Sequence, residues 1–327
     1  VSSGFGDLDG WGINLKLLNN ITLVLFLTFQ PSAWLWALDP LVIATSMRKG
    51  SVDLQIRFVE KGGDIYKSNS TSDVVVPLLG NWSEAGVDLS VATLGRDLNG
   101  KPVIRDLFAG TVADLGAGYY VLAGGDFEGS GRSSVAIAQG FSRNGGVNWR
   151  IIGDPLEAYN VYLVPTFGKR GDVPFYFRGS SQRDTLAVLR WSRNNRFKKV
   201  EGLDVLSGAR AEIILQDAIT DVVKVAGINL RGGIGGIFIQ TSEDYRVYSL
   251  TGHLLFWGNY SVESRGHVAI GDYLSVDGDE IAFLNSEQKL VMLTNPYEGK
   301  FHNLKVDQIT TKTTLYDRST GLRLSYF

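Results

Sequence analysis

An all-β chain is predicted, and three observations carry the prediction. The apolar runs are short and rich in β-branched and aromatic residues. Gly-rich turns separate them. A strand–turn–strand unit also recurs along the chain, and a period of roughly 40–50 residues in short strands marks a β-propeller blade, whereas most solenoids of that period are helical.

Each unit opens with an apolar strand, followed by a Gly with a polar or aromatic neighbour, a Gly-rich turn and a second strand. In chain order the copies span 36–44, 77–91, 121–138, 176–189, 225–239, 270–284 and 314–327. Their anchors, Val42, Leu89, Val135, Leu186, Ile237, Ile281 and Arg323, fall 42 to 51 residues apart. Residues 209–226 offer a helical alternative, with Ile214, Ala218, Val222 and Val225 at helical spacing, but their β-branched content favours two strands. The last copy contains only two strands. Residues 10–18 match the third strand of the 121–138 copy at Gly145–Ile152, and residues 21–29 supply a fourth. The expectation is therefore one domain over residues 1–327: a seven-bladed propeller of four-stranded blades. Residues 10–30 and the C-terminal strands complete the last blade and close the ring, which removes an open edge.

The run at 21–29 has a second reading. It follows Lys16 and precedes Pro31-Ser-Ala33, as in a secretory signal, and that reading implies six blades plus a cleaved leader. At nine residues it is too short to span a bilayer, and no transmembrane segment is expected.

Charge and composition exclude several classes. Against 34 acidic residues stand 32 basic ones, a balance that argues against nucleic acid as the partner. The 327-residue chain has no Cys, which removes disulfides, thiol catalysis and cysteine-ligated zinc. His253, His267 and His302 lie in separate segments, and neither G-x-S-x-G nor a Walker loop occurs.

The turn Gly125-Asp-Phe-Glu-Gly-Ser-Gly131, followed by Ser134-Val-Ala-Ile137, resembles the FG-GAP (VCBS, integrin-α-type) repeat, whose consensus is near Gly-Asp-Phe-Asn-Gly-Asp-Gly-x-x-Asp-Leu-x-Val. The resemblance implies a seven-bladed propeller with the motif loop between the first two strands of each blade. It also implies Ca²⁺ on alternating loop oxygens, because a hard cation takes six to eight of them. The candidate ligands are Asp126, Glu128 and Ser130 in one loop and Asp272, Asp277 and Asp279 in another. Each loop departs from the consensus: Ser134 stands for the final acid, and Leu274 breaks the alternation. Ordinary Asp turns account for the same residues.

For function, the repeat points to a non-catalytic binding module that uses rim loops for a glycan, in the manner of a lectin, or for a protein. Trp149, Trp191 and Trp257 lie outside the repeat's aromatic slot (Trp82, Phe127, Tyr273) and are the candidate sugar-stacking residues. Arg190, Arg193, Arg196, Lys198 and Lys199 form a basic cluster around Trp191. An intracellular or envelope scaffold is the first alternative. A polysaccharide-cleaving enzyme is the second, using Asp39, Asp126, Asp272 and Asp317 as paired acids. Asn69, Asn81 and Asn259 open N-x-S/T triplets, which fit a secreted or cell-surface protein.

Overall fold

Short apolar runs become strands of antiparallel meanders. The computed structural model describes residues 41–46, 51–57, 64–71, 76–80, 90–96, 101–106, 112–116, 118, 120–154, 159–164, 166–179, 183–192, 196–259, 268–274, 277–284, 290–294, 300–304, 313–316 and 321–323. Two compact units divide the chain, Val1–Ala37 and Leu38–Phe327, and every described residue belongs to the second.

The first sheet holds β1 (Leu41–Ser46), β2 (Ser51–Arg57) and β3 (Asp64–Thr71), and the second β4 (Val76–Gly80), β5 (Ser90–Arg96), β6 (Pro102–Asp106) and β7 (Val112–Asp114). The third holds β8 (Tyr120–Gly125), β9 (Ser134–Phe141), β10 (Val147–Asp154) and β11 (Tyr159–Val164). The fourth holds β12 (Val173–Arg178), β13 (Asp184–Trp191), β14 (Phe197–Leu203) and β15 (Arg210–Ile219). The fifth holds β16 (Val222–Leu230), β17 (Ile234–Thr241), β18 (Asp244–Ser249) and β19 (Leu254–Asn259). The sixth holds β20 (Val268–Gly271), β21 (Glu280–Leu284), β22 (Leu290–Thr294) and β23 (Lys300–Leu304). Residues 209–226 are thus two strands, with Ile213, Leu215 and Ile219 buried from β15.

The C-terminal segment departs from expectation. Instead of opening a seventh sheet, β24 (Thr313–Tyr316) pairs with β1 and completes the first, Val42 opposite Tyr316. The anchor Arg323 founds no sheet either. It lies in β25 (Gly321–Arg323), which adds to β8 with Leu322 opposite Val121. Three strands of the first sheet leave one edge of β1 open, and β24 fills it. Six sheets are present among the described residues, and the proposed contribution of residues 10–30 lies outside them.

The core lies between sheets. Successive residues of a strand point to opposite faces, so a strand buried on both sides reads as a continuous apolar run. In β13, Leu186 and Val188 pack with Leu122, Ala136 and Trp149 of the third sheet, whereas Ala187 and Leu189 pack with Val225, Ile237 and Tyr248 of the fifth. Between the fifth and sixth sheets, Phe238, Tyr245, Ile270, Ile281 and Phe283 do the same. Full burial of such a side chain contributes about 1.5–3 kcal/mol. The first strands also touch in sequence: β4 packs on β8, β8 on β12, β12 on β16, β16 on β20, β20 on β24 and β24 on β4.

A repeated backbone clasp joins the sheets. Asp126 N donates to Asp184 Oδ2 at 2.7 Å, and Asp184 N donates back to Asp126 O at 2.8 Å. The same exchange links the fifth and sixth sheets, from Asn229 N to Asp279 Oδ2 at 2.6 Å and from Asp279 N to Asn229 O at 2.7 Å. Between the fourth and fifth sheets the corresponding place is Gly235, where a Cβ would lie 2.7 Å from Arg178 O. The backbones approach too closely there for a side chain.

Candidate functional site

The most developed surface feature is in the fifth sheet. β18 and β19 pair with Arg246 opposite Trp257, and directly opposed residues share a face. Trp257 is 52% exposed, yet its ring is held: Nε1 donates to Asp244 Oδ2 at 2.8 Å. Arg246 donates to the same oxygen through Nη2 at 2.8 Å and Nε at 3.1 Å. Thr241 Oγ1 donates to Asp244 Oδ1 at 2.8 Å and accepts Asp244 N at 3.0 Å. Burial works against the Asp244 charge, but the hydrogen bonds from Arg246, Trp257 and Thr241 outweigh it and hold the carboxyl below its ordinary value. Arg246 is correspondingly raised, chiefly by its bond to Asp244. Burial pushes the Tyr248 phenol up, Arg246 draws it back, and the charge of Asp217, from the fourth sheet, raises it again. The site therefore faces the fourth sheet and presents a fixed, half-exposed indole beside a satisfied carboxylate and a guanidinium. A flat apolar face edged by hydrogen-bonding groups is the chemistry that receives a sugar ring.

The other two tryptophans differ. Trp149 is 3% exposed, and its Nε1 donates to Phe167 O at 2.8 Å. It is a core residue, because its pairing with Ala138 turns it toward the third-to-fourth sheet core instead of a rim. Trp191 is 44% exposed at the end of β13.

The motif loops use their carboxylates internally. Asp126 Oδ1 accepts Gly129 N at 2.7 Å and Ser130 N at 3.0 Å, and Oδ2 accepts Gly131 N at 2.9 Å. Glu128 turns away over Gly153, where a Cβ would lie 2.3 Å from its carboxylate, and bonds Tyr162. Ser130 Oγ accepts Arg132 N at 3.2 Å. In the sixth sheet Asp277 accepts Gly232 N at 2.8 Å and Asp279 accepts Asn229 N at 2.6 Å, while Asp272 acts on the charge of Glu280. N–H donors stand where a hard cation requires oxygen. Among the described residues no three His, Cys, Asp or Glu converge as a metal site. Asn259 is exposed at the end of β19, Asn69 lies in β3, and Asn81 is outside the described residues.

The expected basic cluster is partly neutralised. Arg190 meets Asp172 at 3.3 Å and Glu201 at 3.0 Å, and Lys199 pairs with Glu201 and Glu212. Asp244, Arg246 and Thr241 carried no sequence signal. Their meeting depends on strand register, which a Thr-x-x-Asp-x-Arg spacing does not reveal.

No family model and no curated protein sequence matches the chain. Solved structures resemble it at low identity. A mutant of the Aleuria aurantia lectin in complex with alpha-methyl-L-fucoside is 10% identical over 85% of this chain and 90% of its own, with a TM-score of 0.48. A protein of unknown function from Bacteroides caccae is 12% identical over 84% and 98%, with a TM-score of 0.48. The Dos1 propeller is 16% identical over 83% and 69%, with a TM-score of 0.42. Among the described residues no helix is long and apolar enough to cross a membrane. The described residues are all-β, built of antiparallel sheets of four strands with a fifth, β25, added to one, and these similarities assign the chain to no family.

Proposed function

We propose that the chain is a non-catalytic binding module, a β-propeller whose Trp257 surface takes the apolar face of a sugar ring. The cyclic packing of the first strands supports a ring of six blades closed by β24. One observation carries the functional reading: an indole 52% exposed is nevertheless fixed by a bond to a carboxylate that two further side chains hold in place. Prior ordering lowers the entropy lost on binding. A catalytic reading on Asp39, Asp126, Asp272 and Asp317 finds less support, since both Asp126 oxygens are engaged by its own loop, and Asp39 and Asp317 lie outside the described residues.

The test is a glycan panel followed by titration of each hit, read by calorimetry and tryptophan emission. Trp257→Ala is expected to weaken binding about tenfold, equivalent to about 1.4 kcal/mol, with the melting temperature nearly unchanged. Binding that survives the substitution, or no binding across the panel, overturns the reading.

A further inference from the structure

A second surface, at the end of the fourth sheet, has a different chemistry and does not rest on the Trp257 reading. Asp172 is its hub. Its side chain is 4% exposed and lies 3.3 Å from Arg190. Oδ1 accepts Trp191 N at 2.9 Å, and Oδ2 accepts Lys169 N at 2.7 Å. These bonds tie the loop before β12 to the end of β13, and the Trp191 ring lies across Gly171, 3.7 Å from the place a Cβ would take. The β13–β14 hairpin closes through Ser192 N on Arg196 O at 3.0 Å and sets Phe197 opposite Trp191.

The consequence is a sorting of charge. Arg190 and Lys199 are taken up by Asp172, Glu201 and Glu212. Lys169, Arg196 and Lys198 are exposed and have no side-chain ion pair among the described residues. Three exposed cations thus sit on the loop and hairpin that Asp172 ties to one half-exposed indole. We infer that this surface binds an acidic polysaccharide, with Trp191 stacked on a pyranose ring and the cations pairing its sulfate or carboxylate substituents. A single aromatic fits one ring with charged substituents, whereas strand binding by nucleic acid uses successive stacked bases along a charged groove. The chain's net charge of −2 gives no overall attraction for a polyanion, so binding would rest on local charge.

The experiment uses a heparin octasaccharide, a neutral dextran oligosaccharide and an eight-residue thymidine oligonucleotide, titrated by calorimetry at low salt. Heparin is expected to bind, dextran is not, and raising the salt should weaken the heparin complex. Combining Lys169→Glu, Arg196→Glu and Lys198→Glu should raise Kd at least tenfold, and Trp191→Ala about fivefold. Lys101→Glu, just before β6, should leave heparin binding unchanged. Circular dichroism melts check that every variant folds. Failure of heparin to bind overturns the inference. So do an equal loss with Lys101→Glu, no loss with the triple variant, or equally tight binding of the oligonucleotide.

Discussion

Glu280 begins β21 at 1% exposure, with Oε2 accepting Tyr273 N at 2.7 Å and Leu274 N at 3.0 Å. Burial, with Asp272 and Asp279 adding to it, raises the carboxyl to about 8. The folded chain therefore keeps a proton that the unfolded chain releases near the ordinary value of 4.5. Stability from this group is complete below the unfolded value and is lost as pH rises through about 8. Glu280→Gln keeps an acceptor for both N–H groups and removes the titration. Its gain over the parent should be near zero at pH 5 and reach on the order of a few kcal/mol at pH 9, read from urea denaturation at each pH. A gain that does not grow with pH would contradict the burial argument.

At the scale of elements, the clasps explain why Asp recurs ahead of the second strand. Asp184 and Asp279 cap the backbone of the preceding sheet. Asp184→Ala and Asp279→Ala should each lower stability by about 1–3 kcal/mol, because each leaves an N–H without its acceptor. They act at separate junctions, so the double variant should show nearly the sum. Chemical denaturation of the four proteins measures this, and added calcium should leave all four midpoints unchanged. The repeat that exposes these positions was legible in the sequence. Val42, Val135, Leu186, Ile237 and Ile281 all fall in the second strand of their sheets, counting β24 as the first of its own. What the period did not reveal was pairing. Residues 313–316 read locally as the opening strand of a unit, and that is their position, but in a sheet whose other strands lie about 270 residues earlier. The calcium reading has a related ambiguity: an acid that accepts N–H bonds and one that binds a cation look alike in sequence.

Across the whole molecule, the pairing of β24 with β1 makes the sheet system depend on one short strand. Removing residues 313–327 should leave β1 with an open edge, lower the melting temperature by several degrees and promote aggregation. Removing only 321–327 takes away β25 and keeps β24, and should be far milder. Light scattering during a thermal ramp separates the two. The bonds that hold Trp191 and Trp257 to Asp172 and Asp244 join residues 19 and 13 positions apart, so strand register and the adjoining loop bring them together.

The strand that finishes the first sheet is translated more than 200 residues after its partners, with Thr313–Tyr316 joining strands that lie between Leu41 and Thr71. While the ribosome is still working, β1 to β3 emerge as an incomplete ribbon, and no downstream sheet supplies what they lack. Completion of the first sheet must wait until β24 has emerged or lean on a chaperone meanwhile, so the nascent chain carries an open β1 edge while β4 to β23 are being made.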